Sequence, residues 1–172
     1  MGRFGLSFSV RAADVDETMS PSLCPEDAVQ QVSARKAAAI PADGDTLVLA
    51  ADTIVVCGGQ ILGKPHSQAE AAEMLRLLSG REHQVITAVT LRQGERVLTR
   101  AETTRVWFDP LDEAAIAAYI ASGEPMDKAG AYGIQGLASI FVDKLDGDYY
   151  NVMGLPLCTL AQMLWQFGIN IL

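Results

Sequence analysis

Asp52 is one carboxylate inside the apolar run Leu47-Val48-Leu49-Ala50-Ala51-Asp52-Thr53-Ile54-Val55-Val56. Left unpaired there it would cost several kcal/mol. A lysine partner, a divalent cation, or a raised pKa suited to general-base work would each compensate; a purely structural ion pair would serve equally, and the run by itself leaves both readings open. Lys64 follows in Leu62-Gly63-Lys64-Pro65, where glycine and proline constrain the backbone around an ammonium just past Gly58-Gly59. Lys36 lies in Val32-Ser33-Ala34-Arg35-Lys36-Ala37-Ala38-Ala39, whose small residues leave room for a ligand or another element. Taken singly, each lysine reads first as a solvated surface residue.

The stretch Asp127-Lys128-Ala129-Gly130-Ala131-Tyr132-Gly133-Ile134-Gln135-Gly136 has three glycines in seven residues, which permits close backbone approach. Tyr132 offers a ring face, and the Gln135 carboxamide both donates and accepts, as a pyrimidine edge requires. A tight loop before a strand is the plainer reading. Asp14-Val15-Asp16-Glu17 supplies oxygen ligands of the kind a hard cation takes, without the glycine and distal glutamate of an EF-hand. His66 and His83 are the only histidines, too few for a zinc triad, and read as surface or core fillers. Neither a Walker motif nor Gly-x-Gly-x-x-Gly occurs.

Elements that could position these groups are marked by their punctuation. Pro25-Glu26-Asp27 opens a helix, Ser67-Gln68-Ala69-Glu70 is a capping box for a second, and Asp109-Pro110-Leu111-Asp112 starts a third that Ser122-Gly123 ends. Leu157, Leu160, Ala161 and Leu164 face one side of a last helix stopped by Gly168. Thr46 to Val56 reads as a strand turned back at Gly58-Gly59; Gln84 to Arg92 and Glu95 to Phe108 read as a long hairpin, and Ala138 to Asp143 as a short strand. Strands alternating with helices predict one α/β domain over residues 1–172, a mixed twisted sheet with flanking helices.

The 172 residues, 49% hydrophobic and 20% charged, suffice for one sizeable core. A net charge of -8 excludes a general nucleic-acid binder, so a phosphorylated ligand needs a local basic pocket or a bridging cation. Cys24, Cys57 and Cys158 form no Cys-x-x-Cys pair, which points to a reducing, cytoplasmic setting without disulfides. Neither a signal peptide nor a membrane span is read.

Together these residues resemble the Maf family of nucleoside triphosphate pyrophosphatases, whose fold is Maf/ITPase-like. The matching pieces are Asp14-Val15-Asp16-Glu17, Arg35-Lys36-Ala37, Ala50-Ala51-Asp52-Thr53, Leu62-Gly63-Lys64-Pro65, Met74-Leu75 with Leu78-Ser79-Gly80, His83-Gln84-Val85 with Thr87-Ala88-Val89, Asp127 to Gly136, and Asp148-Tyr149-Tyr150-Asn151-Val152-Met153-Gly154-Leu155-Pro156-Leu157. The Asp127 to Gly136 stretch is similar to the branch that cleaves dTTP and UTP. The resemblance implies metal-dependent hydrolysis of a nucleoside triphosphate to the monophosphate and pyrophosphate. Asp52 would be the proton acceptor for water; Glu17, Lys36 and Lys64 would hold metal and phosphates, with Glu17 the metal ligand; Thr53 and Gln135 would read the base. A divalent cation, Mg²⁺ or Mn²⁺, and a possible homodimer accompany this expectation.

Family members open with a strand and a Ser-x-Ser-Pro-Arg-Arg loop, whereas Met1-Gly2-Arg3-Phe4-Gly5 resembles the tail of the helix that follows it. An N-terminally incomplete domain is therefore expected. The competing expectation is a non-catalytic nucleotide-binding or regulatory protein that lost the triphosphate-binding loop.

Overall fold

A computed structural model describes residues 5–171. The expectation for Met1-Gly2-Arg3-Phe4 falls on residues outside that range. The run around Asp52 forms β1 (Val48–Cys57), and Gly58 and Gly59, with φ of +58° and +83°, turn the chain into β2 (Gln60–Leu62). Helix α2 (Gln68–Leu78) carries it back to β3 (Glu82–Gln93), which Gly94 and Glu95 connect to β4 (Arg96–Phe108). The last strand is β5 (Val142–Asp146). The sheet order is β2-β1-β3-β4-β5.

Every ladder among the described residues is antiparallel, where a mixed sheet was expected. The reason is the reversal at Gly58-Gly59: β2 descends, α2 returns, and β3 must then run against β1. The α/β class stands. Two boundaries also move. Residues Leu137–Phe141 form a 3-10 turn, and the strand begins only at Val142, displaced from the expected Ala138 to Asp143. Helix α3 (Glu113–Ala121) is capped by Asp112, whose Oδ1 accepts from Ala115 N–H at 2.7 Å, in place of Asp109. The helix starts one turn later because Asp109 N–H and C=O are engaged by Phe141 and Gly80.

Helix α1 (Pro25–Ala39) packs on one face of the sheet, burying Val29 against Ile54, Val56, Ile86 and Ala88. On the other face Val55 and Val85 meet Leu75, Leu78, Phe108 and Ile116, the core that α2 and α3 complete. After the short helix α4 (Tyr149–Val152), helix α5 (Leu157–Gln166) seals Val89 and Leu91 with Leu160, Met163 and Leu164. Strand β2 pairs only with Val55, Val56 and Cys57, so among the described residues the earlier part of β1 has no neighbour on that edge. Asp52 and Thr53 point to opposite faces there, yet both reach the same opening. No helix among the described residues is long and apolar enough to cross a membrane.

Candidate active site

Proline at the start of α1 and acids in its first turn fix its direction, which delivers Lys36 from the last turn onto β1. Lys36 Nζ donates to Asp52 Oδ1 at 2.6 Å and to Glu17 Oε1 at 2.8 Å. The Asp52 side chain is 11% exposed and Glu17 53%, so Asp52 bears the desolvation. Burial lifts the Asp52 carboxyl above the ordinary aspartate range, outweighing the hydrogen bond from Lys36; the Glu17 charge adds to the lift. Burial works against the Lys36 ammonium, but its bonds to Asp52 and Glu17 prevail and raise its pKa. The proton of the pair therefore stays on the lysine, leaving a poorly solvated carboxylate of raised basicity. Asp16 does not join: its Oδ1 accepts from Thr18 N–H at 2.8 Å.

Lys36, Asp52, Thr53, Lys64 and Gln135 all line one cavity of about 570 Å³, within the range of small-molecule sites. Glu17 is attached to it through Lys36. The Leu62-Gly63-Lys64-Pro65 turn is tied to the glycine-rich stretch by Gly130 N–H, which donates to Gly63 C=O at 2.9 Å. Gly130 has φ +67°, and a Cβ there would sit 2.8 Å from Val55 Cγ2, so only glycine fits without a shift of core or backbone. Gly130→Ala is expected to lower unfolding stability by about 1–3 kcal/mol, combining left-handed strain with overpacking. Urea denaturation of the two proteins checks this; an unchanged midpoint would show that the contact relaxes freely.

The wall that carries Gln135 has its own supports. Glu124 Oε1 accepts from Tyr119 OH at 3.0 Å and its Oε2 from Leu137 N–H at 3.0 Å, while Tyr119 OH accepts from Gly133 N–H at 3.2 Å. A carboxylate and a phenol thus bracket Gln135 on both sides. Tyr132 is 5% exposed, its hydroxyl 2.8 Å from His83 Nε2 and its ring edge-on to Phe108, so it props the wall from beneath. Burial depresses the His83 pKa to about 4 and keeps the imidazole neutral.

A second polar chain runs behind Thr53. Thr53 and Thr87 face each other in the β1–β3 register with their Oγ1 atoms 2.9 Å apart. Thr87 Oγ1 donates to Asn151 C=O at 2.9 Å, and Asn151 Nδ2 donates to Val85 C=O and Thr104 Oγ1, each at 2.9 Å. Sequence reasoning missed Glu124 and Tyr119 as site supports and met Thr87 and Asn151 only inside family motifs. A carboxylate wedged between Gly123 and Pro125, just ahead of the Asp127 stretch, was the one legible signal.

The Maf-like protein model matches residues 1–167. A dTTP/UTP pyrophosphatase of Bacillus velezensis is 48% identical over 166 residues, covering 96% of this chain and 88% of the relative. A dTTP/UTP pyrophosphatase of Pelotomaculum thermopropionicum is 47% identical over 173 residues, with 99% and 91% covered. The chain belongs to the Maf family.

The chemistry of the donor set decides what cation a Maf site of this kind can take. Glu17 and Asp52 supply carboxylate oxygens on either side of Lys36, and no group of three or more His, Cys, Asp or Glu side chains gathers among the described residues. Mg²⁺ is commonly held by one or two carboxylates with phosphate oxygens and water completing its shell. The pair therefore fits a cation that arrives with a phosphorylated ligand, and not one enclosed by protein alone.

Proposed function

We propose that the protein hydrolyses dTTP and UTP to the nucleoside monophosphate and pyrophosphate. The observation that carries this reading is the buried Asp52 carboxylate, raised in basicity and oriented by Lys36, at the mouth of a cavity that also holds Lys64, Thr53 and Gln135. The names of the relatives support the reaction and the two substrates.

Asp52 takes a proton from water as its oxygen bonds to the α-phosphorus; the bond from that phosphorus to the bridging oxygen breaks, and pyrophosphate leaves with the electron pair. Lys36 and Lys64 hold phosphate oxygens that a protein of net charge -8 would otherwise repel. A divalent cation, Mg²⁺ or Mn²⁺, would lie against Glu17 and Asp52 and neutralise phosphate charge as the leaving group departs. Gln135 and Thr53 meet the base. A cytoplasmic location matches the three free cysteines, two of them exposed.

Pyrophosphate release from dTTP, UTP, CTP and purine triphosphates, with and without added Mg²⁺, tests the proposal; no release from dTTP and UTP would end it. Gln135→Ala is expected to reduce the kcat/KM preference for UTP over CTP by about 1–3 kcal/mol. An equal loss on every nucleotide would make Gln135 part of the wall and not a reader of the base.

A further inference from the structure

Hydrogen bookkeeping around Thr53 restricts what that side chain can offer a ligand. A carbonyl oxygen carries no hydrogen, so the 2.9 Å contact between Thr87 Oγ1 and Asn151 C=O must contain the single hydroxyl hydrogen of Thr87. The 2.9 Å contact between Thr53 Oγ1 and Thr87 Oγ1 needs a hydrogen too, and Thr53 is the one left to supply it. Thr53 therefore spends its own hydrogen inward and presents only lone pairs to the cavity it lines.

The arrangement is locked from behind. Thr87 and Asn151 are fully buried, and Asn151 Nδ2 is pinned between Val85 C=O and Thr104 Oγ1, which also accepts from Asp148 N–H at 3.0 Å and donates to Asp148 C=O at 3.1 Å. The same Asn151 C=O accepts from Gly154 N–H at 2.9 Å, and Gly154 lines the cavity beside Thr53. Rotating the Thr87 hydroxyl would leave two oxygens in contact with no hydrogen between them.

We propose that Thr87 is a positioning residue that holds Thr53 as a pure hydrogen-bond acceptor, so that the base site takes the imide N–H of uracil or thymine and turns away the bare ring nitrogen of cytosine. Uracil and cytosine have the same size and differ on this edge in which atoms donate, so exclusion by volume cannot separate them. An acceptor of fixed polarity can, because cytosine would place one lone pair against another. The proposal rests on the reading of the site as one for pyrimidine triphosphates.

The test compares kcat/KM for UTP and CTP in the wild-type protein, Thr87→Val and Thr87→Ser. Valine keeps the shape and frees the Thr53 hydroxyl to donate, so the UTP to CTP ratio should fall roughly tenfold, chiefly through a gain on CTP, while serine restores the ratio. A structural role alone would lower both substrates together; that result, or an unchanged ratio in Thr87→Val, overturns the proposal. If the valine variant does not fold, Thr87→Ala takes its place: a UTP to CTP ratio that falls through a gain on CTP upholds the proposal, and an unchanged ratio or an equal loss on both substrates overturns it. A wild-type protein that cleaves neither UTP nor dTTP overturns the functional reading and this inference with it, whereas a selective wild type with an indifferent Thr87→Val overturns this inference only.

Discussion

Asp52→Asn is expected to cut pyrophosphate release from dTTP and UTP by roughly 10²–10⁴-fold, the usual contribution of a positioned general base. The variant keeps volume and still offers Lys36 an oxygen acceptor, so the loss falls on proton transfer. Because the folded pKa of Asp52 lies above its ordinary 3.8, the folded state binds more protons than the unfolded state in the window just above that value, and stability falls as pH rises through it. At neutral pH the charge is a cost to folding, and Tm of the variant should be unchanged or higher. The same direction places the acid limb of kcat/KM above the usual carboxylate range, with activity rising as Asp52 deprotonates. Full-rate hydrolysis by the variant sinks the assignment, and a large drop in Tm would reassign Asp52 to a structural ion pair.

Lys36→Met should act in the opposite sense on stability. It leaves Asp52 in its poorly solvated position without the partner 2.6 Å away, and it sets Glu17 and Asp52 against each other. Breaking such a pair by removing one member costs about 2–4 kcal/mol where the remaining charge is only partly accessible. The penalty should shrink in acid, where Asp52 protonates, and grow toward pH 8. Thermal melts across pH show this directly; a penalty that does not vary with pH would mean that lost packing, not the uncompensated carboxylate, is responsible. Turnover should fall as well, since the orientation of Asp52 is lost along with the phosphate contact proposed for Lys36.

What the sequence disclosed depended on whether a signal was local. Proline at the head of α1, the Ser67 cap whose Oγ accepts from Glu70 N–H at 3.1 Å, and the paired glycines before β2 are decided within a few residues, and all appear where the residues place them. The buried acid at Asp52 was legible because a charge within an apolar run demands a partner. Its choice between Lys36 and Lys64 was not, since that depends on how α1 crosses β1. Val142–Asp146 was misplaced because Leu137–Phe141 has strand-like composition, yet follows Gly136 into a 3-10 turn with Leu137 N–H held by Glu124. The Thr87 and Asn151 chain was invisible for a related reason. Its members are 64 residues apart, and only the register of β3 against the approach to α5 joins them.

The cavity has two walls of different construction. One is β1 backed by β3, a strand paired on both sides from Gln84 to Arg92. The other is a succession of 3-10 turns between Glu124 and Phe141, held by a handful of contacts from Glu124, Tyr119 and Gly63. Amides of β3 can exchange with solvent only when most of the molecule opens, whereas those of the turn wall can exchange through a local excursion. On the proposed roles, proton transfer and base recognition would fall to regions of different local stability, Asp52 on the strand wall and Gln135 on the turn wall. The stability of the turn wall can accordingly be altered at the carboxylate of Glu124 or the hydroxyl of Tyr119, neither of which bonds to Asp52.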